Sequence, residues 1–450
     1  MGALIPILAF IPAICIVIIV HEFGHYLVAR LCGVRVLRFS IGIGKVLYRF
    51  KAHPEGTEWA VSLLPLGGYV KLLDARSEDM SQYPPAEMAH EFTSKSVWQK
   101  MAVAVAGPLA NFVLAVFLLA GIYMHGVPYP VAKLRAVPVD TIAYQAGLRG
   151  GDQVIGINGI AVSHWGDVQG AFADAVLSGK GSVQLRFVHD KREQDAQINI
   201  ASMTADALKG DFLKGLGFSL AMGPAVLGRL EEVGEAKRAG LQEGDRVMAV
   251  DGKPIDDALG LVEVIRGSAN TKCVFSVNRQ GRLLDVAVDV GSRIDEKAGK
   301  VGKIGVMISF SPETVTVKYG ILSSFAQGVA KTWDLTVRTV QSIGAILTGQ
   351  LSVRELTGPV GIASHAGKTA QAGALAYLTF IVFISIGIGI MNLMPIPVLD
   401  GGLLLYYAVE FIKGSPVSEK VSRMWTAVGL GLLGFLMVVT FCNDISRLFP

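Results

Sequence analysis

Four long apolar stretches dictate the architecture of this chain, because each is long enough to cross a bilayer, which takes about 20 residues. They run from Ala3 to Leu31, within Met101 to Val127, within Thr369 to Leu399, and from Trp425 to Cys442. No Asp, Glu, Lys or Arg occurs from Met101 to Ala132 or from Thr369 to Leu399. The 17% charged content and mean hydropathy of +0.48 argue against a purely soluble protein. A net charge of +4 over 450 residues gives no sign of a nucleic-acid partner. The four cysteines form no C-x-x-C pair, so neither a disulfide framework nor a cysteine zinc site is indicated.

The first stretch holds His21-Glu22-Phe23-Gly24-His25. On a helix, a spacing of four puts both imidazoles on one face, a turn apart, where they can hold one Zn²⁺ from the same side. Glu22 lies one residue further round, near enough to take a proton from water. Two ligands and a base are what metal-assisted hydrolysis needs. Ionisable groups inside a membrane span are expensive and face a protein interior or a wet cavity, which favours function over chance. The run lacks a basic n-region and a clear cleavage site, so it reads as a retained helix rather than a signal peptide.

Basic residues flank the spans unevenly. Arg30, Arg35, Arg38, Lys45, Arg49, Lys51, Lys95 and Lys100 follow the first span, and Lys413, Lys420 and Arg423 lie between the last two. The positive-inside rule puts both connections in the cytoplasm and both termini outside. Between Val34 and Lys71, β-forming residues broken by Gly42, Gly44, Pro65, Gly67 and Gly68 predict a membrane-associated hairpin. Its free edge could pair with an extended peptide by strand addition; a plain surface loop is the alternative. Further on, Phe325, Val329, Trp333, Val337 and Val340 recur at helical spacing. They suit an amphipathic helix on the outer membrane surface or an ordinary core-facing one.

The region between the second and third spans repeats itself. Ala146-Gly147-Leu148-Arg149-Gly150-Gly151-Asp152 aligns without a gap with Ala239-Gly240-Leu241-Gln242-Glu243-Gly244-Asp245. In each copy a strand follows and ends in a hairpin turn, Asn158-Gly159 or Asp251-Gly252. This block resembles the PDZ domain, and Gly215-Leu216-Gly217-Phe218 and Lys303-Ile304-Gly305-Val306 resemble the loop that holds a peptide carboxylate in that family. The resemblance implies peptide binding by strand addition. A pair of degenerate copies acting as a steric cap is the other reading.

A catalytic zinc site needs a third protein ligand and an open position. None of the remaining histidines sits at the depth of the motif. Asp400 does, at the end of Asn392-Leu393-Met394-Pro395-Ile396-Pro397-Val398-Leu399-Asp400-Gly401, where two prolines break the third helix near the cytoplasmic side. Asn392 and Asn111 are amides in apolar segments. Either could bond a substrate backbone or an oxyanion, or simply hold helices together.

His-Glu-Phe-Gly-His in the first span, Gly107-Pro108-Leu109-Ala110-Asn111-Phe112 in the second and the Asn392–Gly401 motif in the third together resemble the site-2 protease family of intramembrane zinc metalloproteases. The resemblance covers nearly the whole chain. It implies that His21, His25 and Asp400 bind Zn²⁺, that Glu22 is the catalytic base, and that Asn111, Asn392 and Pro397 line the substrate cleft. It further implies single-span membrane substrates, such as an anti-sigma factor already cut outside, or remnant signal peptides, in a bacterial inner membrane. The PDZ pair would sit on the periplasmic side and exclude bulky substrates, with the active site near the cytoplasm.

The fold expected is a multi-pass α-helical membrane protein of four transmembrane helices, with a membrane-associated β-hairpin and two tandem PDZ-like α+β domains. Its parts are a first span at 1–31, a β region and loop at 32–96, a second span at 97–127 and PDZ-like domains at 128–221 and 222–310. A membrane-surface segment at 311–372, a third span at 373–407 and a fourth at 424–446 complete it. Competing readings are a non-catalytic membrane scaffold and a metal transporter. The transporter would need polar residues spread through several spans, whereas here they cluster at one level.

Overall fold

The computed structural model describes residues 4–53, 56–203, 208, 212–295, 299–353, 356–415 and 418–448. The chain divides into two compact units, 1–126 together with 318–450, and 127–317.

The first unit opens with helix α1 (Leu4–Leu31), which tolerates Pro12 within its length. Strands β1 (Val36–Lys51) and β2 (Glu58–Leu72) follow and pair antiparallel in more than one register. Phe39 faces both Trp59 and Val70, and Trp59 also faces Phe50. Each strand therefore bends back, giving a curved sheet of four segments in the order 46–51, 58–64, 36–41, 67–72. The bend in β1 falls at Gly42 and Gly44, whose φ of 89° and 90° suits only a residue without Cβ. Among the described residues, segment 67–72 has a ladder partner on one side only. Tyr26 of α1 packs its ring against Phe39 and Trp59, anchoring the sheet to the helix.

After the short helix α2 (Pro85–Met88), helix α3 (Val97–His125) starts at a capping box in which Ser96 and Gln99 satisfy each other's backbone N–H groups. It is the central element of this unit. The unit resumes after 317 with α9 (Ile321–Leu347), α10 (Pro359–Ala372), α11 (Ala374–Leu393), α12 (Asp400–Lys413) and α13 (Glu419–Leu448). Helix α3 packs against α1, α9, α11 and α12. Lys100 of α3 and Glu410 of α12 form a buried ion pair at 2.9 Å. Helix α9 is amphipathic, with Phe325 stacked edge-on against Phe117 of α3 while Leu322, Val329, Trp333 and Val340 are exposed. Helices α1, α3 and α11, and residues 420–447 of α13, are long and apolar enough to cross a membrane. The third expected span, 373–407, is not one helix. It stops at Leu393, and a non-helical turn at 394–399 leads into α12, because Pro395 and Pro397 have no N–H to donate.

The second unit holds the repeats. In the first, the short helix α4 (Ile142–Gln145) precedes β4 (Gln153–Ile157), β5 (Ile160–Ala161), α5 (Trp165–Leu177), β6 (Ser182–His189), β7 (Arg192–Asn199) and α6 (Phe212–Gly215). Strand β3 (Val127–Pro130) comes before it. The second has β8 (Leu227–Leu230), α7 (Glu235–Arg238), β9 (Arg246–Val250), β10 (Lys253–Pro254), α8 (Ala258–Gly267), β11 (Lys272–Arg279) and β12 (Arg282–Asp289). It ends with β13 (Gly291–Asp295), β14 (Gly299–Lys303) and β15 (Val306–Ile308). Both build the same antiparallel sheet, in the orders β5-β4-β6-β7 and β10-β9-β11-β12. The tight hairpins follow from Asn158-Gly159 and Asp251-Gly252, all four at positive φ, as a type I′ turn requires. Each repeat has its own core, one around Phe172, Phe187 and Phe218, the other around Leu261, Phe275 and Val277. A final strand, β16 (Thr314–Val317), pairs with β3 and brings the two ends of the unit together.

Candidate metal centre

Helix α1 carries His21, Glu22 and His25, and α12 begins at Asp400. His21 Nε2 lies 3.2 Å from His25 Nε2 and 3.1 Å from Asp400 Oδ2, and His25 Nε2 lies 3.5 Å from the same oxygen. Three atoms bound tetrahedrally at about 2.0–2.1 Å from one zinc would lie roughly 3.3 Å apart. The triangle therefore has the size of one face of a zinc site. Asp400 Oδ2 is buried and takes part in no well-formed hydrogen bond among the described residues, so its lone pairs remain for a cation. This donor set, two imidazoles and a carboxylate, suits zinc.

Both rings are held from α3. His25 Nδ1 donates to the Val103 carbonyl at 2.7 Å, and since a carbonyl can only accept, this leaves His25 Nε2 as the free lone pair. His21 Nδ1 lies 3.2 Å from Asn111 Nδ2. Between these contacts sits Gly107, where an added Cβ would overlap His25 Nε2 and approach His21 Nε2 to 2.8 Å. Only a residue with no side chain lets α3 come this near.

These groups border a cavity of about 600 Å³ lined by His21, Glu22, His25, Asn392 and Asp400 and by Gly67, Gly68, Tyr69 and Val70 of β2. The one-sided strand segment thus runs along the same cavity as Glu22. The turn before Asp400 is strained: Val398 has φ 82°, which costs a β-branched residue about 1–3 kcal/mol. Such a backbone persists only where its surroundings hold it, and here it delivers Asp400 to the rings.

Of the residues expected in a substrate cleft, Asn392 lines the cavity. Asn111 is instead fully buried behind His21, and Pro397 is buried as well. Their spacing in sequence gives depth in the membrane but not the direction a side chain takes. Val103 and Gly107 have no chemistry to advertise them. Their one signal is the spacing of four that they share with Asn111, which sets all three on one face of α3.

A His-Glu-x-x-His helix completed by a distant carboxylate, among helices able to span a bilayer, defines a membrane-embedded metallohydrolase. The sequence model of Peptidase family M50 matches residues 9–436. The regulator of sigma-E protease RseP of Salmonella typhimurium is 37% identical over 98% of both chains, and that of Escherichia coli is 36% identical over 98% of both. A Ralstonia nicotianae protein assigned by name to the zinc metalloproteases is 34% identical over 99% of both. The chain belongs to Peptidase family M50, the site-2 proteases, and is a zinc-dependent metalloprotease.

Proposed function

We propose that this protease cleaves a peptide bond within the membrane-spanning segment of single-span proteins, at a centre formed by His21, His25 and Asp400, with Glu22 as the base. The observation that carries this reading is the convergence of three ligand atoms, Glu22 and an unpaired strand edge on one cavity. A substrate helix has all its backbone bonds satisfied, so the scissile bond must unwind before attack. The edge at 67–72 offers replacement partners by strand addition. Zinc, when bound, supplies a Lewis acid for the attacking water and the scissile carbonyl. Glu22 takes the proton from that water and returns it to the leaving amine. Asn392 offers its amide to the substrate backbone or to the developing oxyanion. Pro397, buried within the turn, keeps the break in the third helix open.

The names of the relatives support a role in sigma-E regulation. In that role the substrate is an anti-sigma factor after a first external cut, and remnant signal peptides are a second class. The repeats are PDZ-like domains on the periplasmic side of an inner membrane, with both termini. They act as a steric filter, and a peptide, where one binds, would lie in the groove between α8 and Ile304–Ile308 of the second.

The test is cleavage of a single-span substrate in liposomes by the wild type, by Glu22→Gln, and by the wild type with a zinc chelator. Loss of the base lowers the rate by about 10²–10⁴-fold while zinc stays bound, and the chelator abolishes cleavage. Undiminished cleavage by the Gln variant would overturn the assignment of Glu22. A chain that binds peptides but cuts none would be a scaffold.

A further inference from the structure

We infer that Asn111 is a positioning residue for His21, accepting the Nδ1 proton on its side-chain oxygen and so turning the Nε2 lone pair toward Asp400 and His25. This rests on the reading of His21, His25 and Asp400 as the zinc ligands. A neutral imidazole has one N–H and one lone pair, and a ligand through Nε2 must carry its proton on Nδ1. For His25 the Val103 carbonyl enforces that state. For His21 the equivalent partner is Asn111, four residues further along the same face of α3 from Gly107.

The amide shows which way round it acts. With its nitrogen toward His21 Nδ1, the ring must be protonated on Nε2, pointing an N–H at the other two ligand atoms. The amide oxygen is then left buried with no partner among the described residues. Amide nitrogen and oxygen have nearly the same size, so a half-turn of the group keeps every contact of shape and exchanges donor for acceptor. In that orientation the oxygen accepts from His21 Nδ1–H and Nε2 keeps its lone pair, so the choice follows from the ligand role of Nε2. Asn111 is fully buried, and its backbone carbonyl accepts a hydrogen bond from Ser385 of α11 at 2.8 Å. That bond fixes the height of α3 against α11. Asn111 does not line the cavity, which separates this role from a contact in the cleft.

The experiment measures zinc affinity of the full-length protein by competition with a chelator, alongside KM and kcat on a single-span substrate. Asn111→Leu keeps the size and removes the acceptor. Zinc affinity falls by about 10–100-fold, the range for losing the outer partner of a ligating histidine. Asn111→Asp keeps the shape and offers only acceptors, and zinc affinity stays at or above that of the wild type. Wild-type zinc affinity in the Leu variant, with KM raised, would overturn the inference and make Asn111 a substrate contact. Equal losses in the Asp and Leu variants would also overturn it, because they would make the amide a donor. If the Leu variant does not fold, ¹⁵N-histidine spectra of the zinc-loaded wild type decide. A His21 Nδ1 proton protected from exchange supports the inference, and a bare or freely exchanging Nδ1 rejects it. Zinc binding that survives Asp400→Ala unchanged would instead refute the ligand set itself.

Discussion

Two histidine–aspartate pairs in this protein use the same chemical groups to opposite ends. In the membrane unit, His21 and His25 both approach a single oxygen of Asp400, and that oxygen has no well-formed hydrogen bond among the described residues. In the first repeat, His189 Nδ1 lies 2.6 Å from Asp152 Oδ1, while Oδ2 accepts the Arg149 backbone N–H at 2.7 Å. Asp152 thus has both oxygens engaged, and its pair closes a turn. The second repeat makes the same closure with Asp245 and Arg279, the last residue of β11 as His189 is the last of β6. Proximity of a histidine to a carboxylate is therefore no signature of a site. Convergence of several lone pairs on one point is.

The sharpest separation of the two pairs is metal binding. Asp400→Ala should weaken zinc binding by more than about 100-fold, beyond what loss of an outer partner causes, while Asp152→Ala should leave zinc stoichiometry unchanged in elemental analysis. Gly107→Ala should come next. Its Cβ drives into both rings, so we expect about 10–100-fold weaker zinc binding, with an overpacking cost of about 1–3 kcal/mol in thermal unfolding.

Asp245→Asn should act on the repeat alone. It should remove about 2 kcal/mol of protection from β9–β12 in native-state hydrogen exchange and leave cleavage of a single-span substrate unaltered. The smallest effect is that of pH. The hydrogen bond and charge of Asp152 raise the His189 pKa above its ordinary value, with a smaller push from Asp190 and opposition from Arg149. Stability from that pair is complete below about pH 6.5 and fades as pH rises through the raised value. Burial pushes the Asp245 carboxyl up, but Arg279 and the Gln242 N–H outweigh it and hold its pKa below the usual value. That contribution is complete above about pH 4 and is lost only as pH falls through the lowered value. Between about pH 6 and pH 9, then, protection factors in β6, with intrinsic exchange rates divided out, should fall while those in β11 should hold. His189→Arg should abolish the difference.

The parts of this molecule that follow a local rule are legible in its sequence. Apolar length marks the helices that can cross a membrane, and the Asn-Gly and Asp-Gly turns fix the two repeat hairpins. A spacing of four brings His21 and His25 onto one side, and the prolines before Asp400 mark the end of α11. What escapes is whatever depends on which way a helix is turned. Asn111 and Pro397 stand in motifs of the right depth, yet both point into packed interior, and only Asn392 reaches the cavity. Val103 contributes a backbone carbonyl that every residue has, and Gly107 contributes an absence of atoms. The double register of β1 on β2 is equally hidden, because period-two alternation sets faces and not the point at which a strand doubles back.

The ion pair between Lys100 and Glu410 bears on how the enzyme comes into being. Its partners are 310 residues apart, so at about 5–20 residues per second a ribosome needs roughly 15–60 s to deliver the second charge after the first. Throughout that interval Lys100 has no counter-charge from α12, and the oxygen of Asp400, ten residues before Glu410, does not yet exist. Both carboxylates belong to α12, so the helix that neutralises the lysine is also the one that brings Asp400 to His21 and His25. Until α12 has been made the chain holds neither carboxylate, so the lysine and the two imidazoles wait for the same helix.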